Sequence, residues 1–238
     1  YFDFVRSWLD IGEFIDYQIT ETYIDNLGDW PNNNIKFWCP RTRNGKWRWV
    51  LYDTDWGFFN NSRGLHQAAS VDPAWQTHTN PPFSTFLLRS LLKNITFRNR
   101  FIQRYASHIS ITFEHDRVLN KVDQFMERLK PEMPRHIARW QGEPGRPIME
   151  SVTVWRNSIE SRYDGRLGFP GIKFFNSRRN KGARRNIIEF FDLLDLGSYA
   201  TDEIDANIEK AKYSLSIKRY SLKSGTIAVA VVKVRDEV

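Results

Sequence analysis

The spacing of apolar residues changes character along the chain. Ile11, Ile15, Ile19 and Tyr23 recur every fourth position, which predicts one buried face of an α-helix reaching about Asn26. Asp10 followed by Glu13 has the form of a capping box at its start, and Leu27-Gly28 ends it. Before it, Phe2, Phe4, Val5, Trp8 and Leu9 read as an apolar helix or strand. Two strand-like runs follow, Ile35–Cys39 and Lys46–Tyr52, around a turn at Asn44-Gly45; Asn-Gly between such runs is a strong hairpin signal. From Phe58 to Phe83 no period holds. Pro73, Pro81 and Pro82 punctuate this stretch, and it reads as a long irregular loop of the kind that is usually functional or mobile.

Helical spacing resumes at Ser84, a cap for Phe86-Leu87-Leu88, and again at Asn94 or Thr96, which starts a helix from Phe97 through Ile109. Val118, Val122, Phe125, Met126 and Leu129 form a stripe, as do Ile148, Val152 and Trp155, with breaks at Pro131 and Pro134. These stripes are expected to face the core, and His136, one turn from Trp140, is expected in a core or capping role. Beyond Arg166 comes a basic run, Arg178 to Arg185, the composition of a solvated face, and then an apolar helix-like run to Leu194. Tyr213–Ile217 and Thr226–Val232, with Lys223-Ser-Gly225 between them, read as a terminal hairpin. The pattern therefore divides the chain into a main region over 1–165, a basic linker and helix over 166–198, and a small β appendage over 199–238.

Composition narrows the picture. At 238 residues, 41% hydrophobic and with nine Trp, the chain can bury a sizeable core. No apolar run reaches the roughly 20 residues that a membrane-spanning helix needs. The chain opens on Tyr1 with no signal-peptide pattern before the first helix, so its natural start is expected upstream. A net charge of +7 favours anionic partners: nucleotide phosphate, an acidic substrate, nucleic acid or an anionic surface. No RNP, zinc-finger or helix-turn-helix signature accompanies the basic run, so nucleic acid is not the expected partner. The single cysteine, Cys39, excludes an intrachain disulfide and a cysteine metal cluster; it reads as a small strand residue.

The chemistry concentrates at the ends of the first hairpin. Asp29 and Asn34 precede it, and Asp53-Thr54-Asp55-Trp56-Gly57 follows. Pairing the strands brings these ends together, and three carboxylates with an amide repel one another unless a cation sits among them. Oxygen-only ligands select a hard ion such as Mg²⁺. The spacing Asp29-x-x-x-x-Asn34, then a hairpin, then Asp55-Trp56-Gly57, parallels the catalytic loop and metal-binding Asp-Phe-Gly of protein kinases, although Leu27-Gly28 stands where His-Arg would be. No Gly-rich loop or Val-Ala-Ile-Lys strand precedes Asp29. His66, His78 and Asp72 match no ligand spacing. Asp53-x-Asp55 at a strand end also has the form used by haloacid-dehalogenase-type phosphatases. Those enzymes need a parallel sheet alternating with helices, and this pattern does not supply one.

The runs Ile15-Asp-Tyr-Gln, Asp29-Trp-Pro-Asn-Asn-Asn-Ile-Lys-Phe-Trp38 and Gly45-Lys-Trp-Arg-Trp-Val-Leu-Tyr-Asp-Thr-Asp-Trp-Gly-Phe58 resemble the CotH (spore-coat protein H) kinase family. Leu91-Leu-Lys-Asn94 and Glu132-Met-Pro-Arg-His-Ile-Ala-Arg-Trp140 are similar to its later blocks, and the resemblance spans roughly residues 10 to 165. It implies an α+β fold: a mainly helical kinase-like C-lobe with a catalytic β-hairpin, an N-lobe missing from this chain, and a small β appendage. It implies a secreted, cell-surface or spore-coat transferase that moves phosphate from ATP to Ser/Thr of protein substrates. Asp29 would then be the catalytic residue, with Asn34 and Asp53 or Asp55 holding Mg²⁺. The alternative is a surface or coat protein that keeps the fold without catalysis.

Overall fold

The central element is α2 (Ile11–Ile24), a helix buried on nearly every side. Ile11, Ile15, Ile19 and Tyr23 form its expected inner face, and Phe14, Tyr17, Gln18, Glu21 and Thr22 are buried as well. The computed structural model describes residues 1–26, 30–58, 64–72, 74, 81–140, 151–160, 171–195, 213–222 and 225–234. Ahead of α2 lies α1 (Phe2–Trp8), which buries only Val5. After it come β1 (Lys36–Trp38) and β2 (Arg48–Val50), α3 (Gly64–Ala69), α4 (Phe86–Leu92) and α5 (Ile95–Ser107). A single π-helical segment (His108–Thr112) extends α5, followed by α6 (His115–Leu129), α7 (Met133–Trp140), α8 (Val152–Glu160) and α9 (Ile172–Phe191). The described residues are mostly helical.

Aromatic side chains fill the space around α2. Phe14 meets Trp49 of β2 edge-on at 4.8 Å and Phe97 of α5 at 6.3 Å. Phe97, Phe101 and Tyr105 continue the core along α5, and Phe175, Ala183 and Ile187 close it from α9. Each such aromatic pair contributes about 0.5–1.5 kcal/mol beyond its area burial. Arg179 of α9 is also buried; its guanidinium donates to the carbonyls of Thr22 and Tyr23 at the C-terminal end of α2. A cation there satisfies carbonyls that have no partner within the helix and complements the negative end of its dipole. A second, smaller cluster of Met126, Met133, Ile137 and Trp155 joins α6, α7 and α8.

The β1–β2 hairpin is antiparallel, with Lys36 opposite Val50, Phe37 opposite Trp49 and Trp38 opposite Arg48. Its second arm is tied to the α1–α2 junction, where the Asp10 amide donates to the Trp47 carbonyl at 3.1 Å and the Trp47 amide to the Trp8 carbonyl at 2.8 Å. At the other end of the chain β3 (Leu193–Asp195) runs parallel to the start of β4 (Tyr213–Leu222), which pairs antiparallel with β5 (Gly225–Val234). β5 passes beside α5.

Several expectations are corrected. The β1–β2 connection is nine residues, 39–47, so Asn44-Gly45 is one turn within a longer loop and Cys39 lies in that loop. Asp10 does cap α2 by accepting from the Glu13 amide at 3.3 Å, but the Glu13 carboxylate does not return to Asp10. It accepts from the Trp49 amide at 2.9 Å and so spends itself on the hairpin. The stretch taken as irregular contains α3, whose Leu65, Ala68 and Ala69 are buried against α2. The cap of α4 is Thr85 rather than Ser84, whereas Asn94 caps α5 by accepting from the Phe97 amide at 3.0 Å. In the α6 stripe Met126 is buried but Phe125 and Leu129 are exposed, because the satellite cluster covers only part of that face. His136 is exposed rather than in the core. The basic run is not a linker: it lies inside the 20-residue α9. His78 and Ile148 fall outside the described residues.

Candidate active site

Two segments leave the body of the molecule beside the C-terminal end of α2 and carry the hairpin's polar ends. The first begins at Asn26, whose carbonyl accepts from the Trp30 amide at 3.0 Å. The Trp30 ring is buried and meets Tyr17 edge-on at 6.5 Å. That anchor holds one end of the Pro31–Asn34 turn, and the Trp30–Pro31 peptide within it is cis. The second segment, Asp53 to Phe58, folds back as a turn closed by the Gly57 amide donating to the Thr54 carbonyl at 2.9 Å. The Phe58 amide then donates to the Ile24 carbonyl at 2.6 Å, which fixes this turn to the end of α2. Gly57 sits in close packing: a Cβ there would lie 3.1 Å from Ile24 Cδ1 and 3.0 Å from the Thr54 carbonyl oxygen, tighter than ordinary contact.

The two ends meet. Asn34 Nδ2 donates to Asp53 Oδ2 at 3.0 Å. Both residues have left-handed backbone, with φ of 53° at Asn34 and 55° at Asp53, a conformation that Asn and Asp tolerate better than most. Asp55 follows two residues later and is exposed. Asp29 lies outside the described residues, so the structure brings together Asn34 and Asp53, with Asp55 in the same turn. Among the described residues no three His, Cys, Asp or Glu side chains cluster as a metal site. The donor set at the hairpin ends is nonetheless all oxygen with anionic charge, the chemistry that suits Mg²⁺.

Of the two rings that flank Gly57, the second turns inward. Trp56 is 52% exposed, while Phe58, one residue past the glycine, packs on the core and meets Phe175 edge-on at 5.5 Å. Lys36 Nζ lies 3.2 Å from the centroid of the Tyr52 ring, directly before Asp53.

Beneath the first segment is a buried acid that sequence reasoning missed. Glu21 is 1% exposed, and Asn26 Nδ2 donates to its Oε2 at 3.0 Å. Burial pushes its carboxyl up to about 7; Asn26 and the nearby Tyr17 hydroxyl oppose that shift without overcoming it. Glu21 thus holds the residue from which the Asp29 segment departs. Nothing in the periodic pattern marked it, because a Glu inside an amphipathic helix ordinarily faces water. On the same helix Asp16 accepts from Arg104 and from His108 Nε2 at 2.8 Å. Burial alone would raise the Asp16 carboxyl, but these partners hold it below the usual carboxylate range.

A family model described as CotH kinase protein matches residues 1–165. Comparison with curated proteins and with solved structures finds no match.

Proposed function

The chain belongs to the CotH kinase family, and on that premise we propose that it is a Mg²⁺-dependent protein kinase that transfers the γ-phosphoryl group of ATP to Ser or Thr of a protein substrate. The observation that carries the proposal is the contact between Asn34 and Asp53, which joins the two ends of the hairpin in the way a shared metal site needs. In this reading Asn34 and Asp53 hold the metal. Contact with Asn34 favours Asp53 over Asp55, although Asp55 occupies the Asp-x-Gly position. Bound Mg·ATP supplies the phosphoryl group and the positive charge that offsets the phosphates. Asp29 orients the acceptor hydroxyl and takes its proton as the oxygen attacks. Glu21 and the buried Trp30 ring act at a distance by fixing the backbone on either side of Asp29. Among the described residues no helix is long and apolar enough to cross a membrane. The family's association with the spore coat supports a site of action at a coat or cell surface in the same reading.

Separate measurements of binding and transfer test it. In the full-length protein, Asp29→Ala should leave Mg·ATP affinity by calorimetry nearly unchanged and abolish radiolabel transfer, because a positioned base acts on the chemical step. Asp53→Ala should weaken nucleotide binding in Mg²⁺ about tenfold or more, and Asp55→Ala less. A larger loss from Asp55→Ala would reassign the ligand. Absence of both Mg-dependent nucleotide affinity and transfer in the wild type would refute the kinase reading.

A further inference from the structure

The basic run of α9 lies outside the region matched to the kinase family and forms a surface of its own. Four of its five cations define two sets, and the fifth, Arg184, is half-buried. Arg179 points inward and is consumed in holding the end of α2. Arg178, Lys181 and Arg185 are exposed, at spacings of three and four residues, which places them on one face over about 10 Å of helix axis. They border a concavity of about 610 Å³ with Gly182 in its floor and Glu189 at one end. A Cβ at Gly182 would meet nothing within 4 Å, so open space lies above the backbone between the three charges.

These cations differ from six others of the chain in what they face. Arg6, Arg48, Arg104, Lys130, Arg135 and Lys173 each pair with a carboxylate. Arg178, Lys181 and Arg185 have no such pairing among the described residues. The Arg178 guanidinium is instead held 4.9 Å from the centroid of the Phe174 ring, which leaves its donors available. The helix beneath them is anchored by its buried face, so the three charges are presented on a rigid support. We propose that this face docks a short acidic segment, rich in Asp and Glu, of a protein partner.

The surroundings select that occupant. None of the described residues that line the cavity is aromatic, so none of them offers the stacking platform that single-stranded nucleic acid uses. The three exposed cations span only about two turns, with Glu189 lining the end of the stretch, a length that fits a segment supplying three or four carboxylates. The proposal stands independently of phosphoryl transfer at the hairpin.

Fluorescence anisotropy on the full chain tests it. The probe is a labelled twelve-residue peptide of Asp, Glu, Gly and Ser, compared with its Asn/Gln analogue and with a single-stranded oligonucleotide of equal charge. Arg178→Glu/Lys181→Glu/Arg185→Glu should weaken the acidic peptide at least tenfold. Arg117→Glu/Lys121→Glu/Arg128→Glu on α6, an equal change in net charge, should alter it less than twofold. Gly182→Leu keeps every charge and fills the concavity, and should weaken binding several-fold while circular dichroism stays that of the wild type. The proposal fails if the wild type does not bind the acidic peptide, if both triple variants weaken it alike, if Gly182→Leu has no effect, or if the oligonucleotide binds more tightly through the same residues.

Discussion

Replacing Glu21 by Gln should change how stability depends on pH, and the structure sets the size and sign of the effect. In the unfolded chain the carboxyl titrates near 4.5; in the folded protein burial pushes it up to about 7. Between those values the folded state holds a proton that the unfolded state has lost, so stability falls as pH rises. The full stability of the protonated form is present below about pH 4.5 and is lost as pH rises through about 7. The ionised form is then disfavoured in the fold by about 3 kcal/mol, from 1.36 kcal/mol for each pKa unit. Gln keeps an acceptor for the Asn26 amide and cannot ionise. Urea unfolding of both proteins from pH 5 to 8.5 should show a difference that grows with pH, with Glu21→Gln near the wild type at pH 5 and more stable by about 2–3 kcal/mol at pH 8. In the proposed kinase reading, transfer activity measured alongside reports whether a permanently neutral group holds Asn26 equally well. Parallel stability curves across the whole range would refute the reasoning, since Glu21 would then ionise in the fold without penalty.

Other positions give independent checks. Asp16 has the opposite sign: its carboxyl is held below its ordinary range, so its contribution is present above the unfolded value of 3.8 and is lost as pH falls through the lower folded value. Asp16→Asn should therefore destabilise at pH 6 and flatten the acid limb below about pH 4 in thermal unfolding; an unchanged acid limb would show that the Arg104 and His108 contacts do not hold the carboxylate. Gly64→Ala would place a Cβ 2.7 Å from the Thr22 carbonyl oxygen and 2.8 Å from Asp25 Oδ1. It should cost about 1–3 kcal/mol in urea unfolding, and an unaltered midpoint would mean that α3 does not press on the end of α2.

The sequence alone determined the elements whose period is strong and whose burial is one-sided. Ile11, Ile15, Ile19 and Tyr23 announced α2, Asn94 announced the start of α5, and the residues around the first hairpin announced both the family and the pairing of its polar ends. What tertiary packing decided were the places where a local signal was outbid. Glu13 left its capping box for the Trp49 amide, since an unpaired strand donor in a partly buried setting costs more than a helix-end donor near water. Phe125 and Leu129 stayed exposed because no described element covers that side of α6. The buried Glu21 and Arg179 could not be read from the chain, because a charged residue's burial depends on partners distant or unremarkable in sequence: Asn26 for the acid, the Thr22 and Tyr23 carbonyls for the cation. A sequence carries the period of a helix face; only the assembled core determines which polar groups are desolvated, and so which of them set the position of the site.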